Sequence, residues 1–194
     1  MKLTNIKMAK WIIKEGQTSD DYNIADPNNL EYHIATNVMG RTGRDYSYLK
    51  ELGNRIGKFE SRNRNIEQIL DNGKQGEGSG LFQFQYPSMV TAAGRLLNIH
   101  PSASKNPDIA KILSSTPKDG LRASEFPPAV QRSLLYANLQ QAPGTRLSKK
   151  KNEQTFYETW AEGHHLESTR PHYNRWKTES DLNNWKDYPE NPNL

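Results

Sequence analysis

Apolar positions along the chain fall into short runs of helical spacing, separated by polar stretches that carry proline, glycine and asparagine. Leu3, Ile6, Trp11 and Ile13 predict a first helix over residues 3–15, capped by Thr4 or Asn5 and stopped by Gly16. It serves either as a core helix or as a docking helix for another protein. A polar loop leads through Asp26-Pro27 to a short, mildly apolar helix at 30–39, and Gly40 to Arg44 read as a connection. Over 45–61, Leu49, Leu52, Ile56 and Phe59 share one helical face, with Glu60 at its edge. Gly53 and Gly57 lie on the same side and are expected to leave the backbone bare there. The polar 62–77 stretch holds Ile66, Ile69 and Leu70, spaced for one helical turn. Tyr86-Pro87 opens a helix whose buried side is Val90, Ala93, Leu96 and Leu97, and His100-Pro101 ends it, with His100 in a structural role.

A short helix follows at 106–114, then a turn at 116–120. The run 127–140 has Val130, Leu134 and Ala137 on one side and Leu135 and Leu139 on the other. Being apolar on both sides, it predicts a buried helix. Phe156, Tyr157 and Trp160 give aromatic mass to a helix over 152–163. Beyond it, Trp176 and Trp185 stand in a polar background, suited to docking on a partner protein. The expected organisation is an N-terminal helix with loops at 1–44, a catalytic domain at 45–165 and a docking segment with a tail at 166–194.

Composition narrows the function classes. Of 194 residues, 34% are hydrophobic, which suits a packed domain of roughly 110 to 150 residues with tails better than one fully packed globule. The net charge of +4 fits an anionic polymer as partner, such as bacterial cell wall. Nucleic acid is not expected, because no basic stripe with interleaved aromatics occurs. The absence of cysteine excludes disulfides and thiolate metal sites. Glu162, His164, His165, Glu167 and His172 match no standard zinc spacing, so neither metal nor cofactor is expected. No membrane span and no secretory signal are expected, since the N-terminal lysines are not followed by an uninterrupted apolar run.

The candidate chemistry lies between Phe59 and Phe84. An acid ends an apolar helix (Glu60-Ser61), a polar loop follows, and Gly78-Ser79-Gly80 leads into Leu81-Phe82-Gln83-Phe84. A carboxyl at the margin of a core is partly desolvated, which favours its protonated form and suits a general acid. The glycines allow close approach of a glycan to the backbone, and Gln83 offers an amide to a sugar. Asp71 and Glu77 are the carboxylates that might activate water if the site is an inverting hydrolase. Tyr136 is either a core tyrosine or the hydroxyl partner of Glu60.

Glu60-Ser61 followed by Gly80-Leu81-Phe82-Gln83 resembles the lytic transglycosylase and goose-type lysozyme group, whose pattern is Glu-Ser, a loop, then Gly-Leu-Met-Gln. Phe82 stands where methionine is usual. Tyr136-Ala137-Asn138 holds the residue types of that group's later Ala-Tyr-Asn in another order. The likeness covers about half the chain, from Leu49 to Gly144. It implies a mainly α, lysozyme-like fold with at most a small β-hairpin between 62 and 85. It implies Glu60 as catalytic acid, with Ser61, Gly80, Leu81, Phe82, Gln83 and Tyr136 lining or supporting the site. The implied substrate is the glycan strand of peptidoglycan, cut with formation of a 1,6-anhydro ring. Hydrolysis on the same fold and an inactive structural relative are the alternatives. A wall-cutting chain with docking ends is expected in a phage tail or baseplate.

Overall fold

The computed structural model describes residues 23–40, 46–140 and 160. The expected helix at 3–15, most of the connection after Gly40, the body of the 152–163 helix and everything beyond it lie outside the described residues.

Five α-helices and one two-stranded sheet make up the described fold: α1 (Pro27–Gly40), α2 (Tyr46–Ser61), β1 (Glu67–Ile69), β2 (Gln75–Ser79), α3 (Tyr86–Ile99), α4 (Pro107–Ser114) and α5 (Pro128–Leu139). The described residues are therefore mainly helical with a small antiparallel hairpin, as the sequence predicts. Single 3-10 turns occupy Pro101–Lys105, Pro117–Asp119 and Ala123–Glu125.

Local chemistry explains the boundaries. α1 starts three residues before its apolar run because Pro27 suits a first helical position and Asp26 Oδ1 accepts from Asn28 N at 2.8 Å. Asn106 caps α4 by accepting from the amides of Asp108 and Ile109, at 3.0 and 3.2 Å. Its own amide donates to the Ile24 carbonyl at 3.0 Å, so one buried side chain joins the entry to α1 and the start of α4.

The core forms around α5, against which α1, α2 and α3 pack. Val130, Leu134, Leu135, Tyr136 and Leu139 are inaccessible, so the helix that is apolar on both sides is indeed interior. Leu30, Ile34 and Val38 of α1, Leu49, Leu52 and Ile56 of α2, and Met89, Ala93 and Leu96 of α3 complete the cluster.

Two expectations are corrected. Ile66, Ile69 and Leu70 form no helical turn. They belong to or flank β1 and are exposed, Ile69 at 65%. Side chains alternate across a strand, so a helical spacing of three apolar residues gives no common buried face there. The backbone at Gly53 and Gly57 is not bare either. A Cβ on Gly53 would touch the Tyr136 ring at 3.4 Å, and one on Gly57 would collide with the Asn63 side chain. These positions are small because α5 and the helix-exit turn press against them.

Among the described residues no helix is long and apolar enough to cross a membrane.

Candidate functional site

The site is assembled where α2 ends. Glu60 lies in its last turn and is half-buried. The chain then reverses through two consecutive left-handed residues, Arg62 (φ 57) and Asn63 (φ 56), with Arg62 N donating to Lys58 O and Asn63 N to Gly57 O, both at 3.0 Å. Left-handed geometry is disfavoured for a residue such as arginine, so the surrounding contacts hold this exit in place.

Ser61 supplies one of those contacts. Its buried hydroxyl donates to the Leu81 carbonyl at 2.8 Å, joining the acid-bearing turn to the segment after β2. That segment is built tightly. Gly80 has φ +79, and a Cβ there would collide with the Gln131 amide oxygen. The Gln131 Oε1 accepts from Leu81 N at 2.8 Å, while its Nε2 donates to Phe126 O at 2.8 Å and Asn65 Oδ1 at 3.0 Å. Gln83 is also left-handed, at φ 49, and its Nε2 donates to Gly80 O at 2.9 Å and Ile66 O at 3.2 Å. A fully buried glutamine from α5 and a half-buried one from the turn therefore fix the backbone beside Glu60.

Burial divides the expected site residues. Ser61, Gly80, Leu81, Phe82 and Tyr136 are buried, and only Glu60 and Gln83 of the set are partly accessible. Leu81 and Phe82, at 1% and 3% exposure, do not present side chains to a ligand. They anchor the turn in the core, with the Leu81 amide and carbonyl held by Gln131 and Ser61. Gln83 has its Nε2 turned to backbone carbonyls, so its first task is to hold the turn.

Tyr136 is the core tyrosine of the two readings. Its hydroxyl donates to Glu31 Oε1 at 3.2 Å rather than to Glu60. Arg132 grips the same carboxylate with two donors, Nε and Nη2, each at 2.7 Å. Asn138 accepts from Arg95 at 2.7 Å. The Tyr-Ala-Asn stretch thus ties α5 to α1 and α3.

Glu60 has a partner in Trp160. The indole Nε1 donates to Glu60 Oε1 at 2.7 Å, and the ring, 1% exposed, meets Phe59 edge-on at 4.9 Å between centroids. Sequence reasoning counted Trp160 only as aromatic mass. The available signal was a donor-bearing aromatic in a segment following the buried helix.

Asp71 and Glu77 are both exposed, Asp71 at the hairpin tip and Glu77 on β2. The hairpin carboxylate with a built environment is Glu67. Arg122 Nε donates to it at 2.7 Å, Gln75 at 3.2 Å, and Ser124 Oγ completes the set. Burial pushes its pKa up, but the bonds from Ser124, Arg122 and Gln75 and the Arg122 charge outweigh that, so it titrates below an ordinary glutamate. Arg122 also donates to Gly76 O at 2.9 Å and Gly78 O at 3.1 Å, which roots β2 on the turn before α5. Glu67 is occupied as a clamp.

No group of three or more metal-ligating side chains occurs among the described residues, and the cluster between Glu162 and His172 lies outside them. The arrangement offers one half-buried carboxyl, one buried donor fixed on it, and a rigid backbone turn beside it. Comparisons with protein families, with curated protein sequences and with solved structures return no match.

Proposed function

We propose that this chain is a peptidoglycan lytic transglycosylase, cutting the β-1,4 bond between N-acetylmuramic acid and N-acetylglucosamine. The observation that carries the reading is the pairing of Glu60-Ser61 with Gly80-Leu81 through the Ser61 hydroxyl. The two sequence motifs on which the family likeness rests are joined by a direct hydrogen bond at one place in the fold. Glu60 protonates the leaving oxygen as the glycosidic bond breaks, and the muramyl 6-hydroxyl closes on the anomeric carbon, giving its proton to the same carboxylate. One acid suffices, in keeping with the exposure of Asp71 and Glu77 and the engagement of Glu67. General acid–base assistance of this kind contributes roughly 10²–10⁴-fold.

Digestion of purified sacculi tests the proposal. The expected fragments end in 1,6-anhydromuramic acid. Fragments heavier by one water would assign hydrolysis instead, and no release at all would leave a structural relative of these enzymes. The same proposal places the chain in a phage particle, held through its aromatic ends, Trp11 on one side and Trp176 and Trp185 on the other. Mass spectrometry of washed particles checks this, and absence of the chain from them rejects the location.

A further inference from the structure

We infer that Trp160 is a positioning residue for the acid, fixing which oxygen of Glu60 carries the transferable proton. The inference rests on the functional reading above and adds a second side chain to its chemistry. Indole Nε1 is a donor only and cannot accept. With its N–H on Glu60 Oε1 at 2.7 Å, that oxygen is held as an acceptor in both protonation states of the carboxyl. The proton of the acid form therefore sits on Oε2. Glycosidic cleavage breaks the Oε2–H bond and forms an O–H bond on the leaving oxygen, whose electron pair comes from the broken C–O bond. The 6-hydroxyl then forms the new C–O bond, and its proton returns to Oε2. Throughout, Oε1 keeps its bond to Trp160, so the negative charge that develops on Glu60 is met by a donor already in place.

The indole suits this task physically. It is buried and braced edge-on against Phe59, the residue preceding the acid in the chain. Its N–H thus needs no reorientation when the carboxyl ionises. The donor comes from 100 residues further along the chain, so the geometry at Glu60 depends on a contact that no neighbouring residue supplies.

Two measurements test this. The chain has four tryptophans, and the indole N–H resonance missing from Trp160→Phe identifies that of Trp160. In Glu60→Gln, compared at a pH at which the parent carboxyl is ionised, this resonance is expected upfield of its parent position, because an amide oxygen is a weaker acceptor than a carboxylate. An unmoved resonance overturns the inference whatever the enzyme does. In kinetics, Trp160→Phe keeps an aromatic ring and removes the N–H. Loss of a charge-assisted bond predicts kcat lower by roughly tenfold to a hundredfold, with KM within about twofold of the parent. Should Trp160→Phe fail to fold, the same resonance in Glu60→Gln is identified through Trp11→Phe, Trp176→Phe and Trp185→Phe, by exclusion. An active parent with an unaffected Trp160→Phe removes the positioning role alone. An inactive parent removes the functional reading, and the role with it.

Discussion

Glu60 and Gly80 illustrate two ways in which one residue matters. Glu60 is half-buried and faces a donor, so its replacement tests chemistry. Glu60→Gln keeps the size and the acceptor for Trp160 while removing the acid. Wall cleavage is expected to fall by more than about 10²-fold with the melting temperature nearly unchanged. Turbidity clearing of cell-wall suspensions, read beside a thermal melt, checks both. Gly80 is a matter of backbone. Its φ of +79 and its closeness to the Gln131 amide leave no room for a methyl group. Gly80→Ala is expected to cost about 1–3 kcal/mol, measured by urea unfolding, and to lower activity through the displaced Leu81 carbonyl that Ser61 binds.

At the scale of elements, the α1–α5 seam holds a nearly buried ion pair, Glu31 with Arg132, and Tyr136 on the same carboxylate. Arg132→Met would remove the cation that grips that carboxylate with two donors, and a loss of about 3 kcal/mol is expected in denaturant. Replacing Glu31 with leucine in the same chain should recover part of it. Where α1 meets the end of α3, His33 and His100 stack at 5.2 Å with planes 5° apart, and Asn37 bonds to His100. Burial lowers both pKa values, and for His33 the His100 charge adds to the effect. The unfolded chain therefore takes up protons first as pH falls below the ordinary value of 6.5. Stability is full above that value and declines below it until the folded histidines titrate. Glu67, titrating below its ordinary 4.5, adds a second loss that begins only in that lower range. Melting curves across pH should show the two windows separately, and His100→Asn should make the first one shallower.

These elements also show what the sequence made legible. Helices α2, α3 and α5 follow from apolar spacing, and α3 and α5 also from proline starts, because both signals act within a few residues. The hairpin was expected somewhere between 62 and 85, but its strands were not located: β1 is three residues long and its apolar side chains face outward. The contacts of Glu31 with Arg132 and of Glu60 with Trp160 join residues 101 and 100 positions apart. No local pattern specifies such pairs, which is why the sequence offered Tyr136, on one of its two readings, and not Trp160 as a neighbour of the acid.

Over the whole molecule, long-range side-chain bonds do the work of holding the site. Ser61 reaches across 20 residues to Leu81, and Gln131 across 50 to the same residue, so the end of α2 and the turn after β2 are fastened independently of the chain between them. That makes the hairpin tip a place of architectural freedom. Asp71 to Gly73 are exposed, and a side chain at Gly73 would meet nothing within 4 Å. Lengthening a loop whose ends are already fixed elsewhere costs little, about 0.6 kcal/mol for each doubling. Inserting four Gly-Ser residues after Asn72 is therefore expected to leave the melting temperature within a few degrees and the cleavage rate within about twofold, checked by calorimetry and by sacculus digestion. The tip can then be treated as a socket: an affinity tag or a foreign carbohydrate-binding loop placed there would redirect where the molecule settles on a surface without disturbing the turn that holds Glu60.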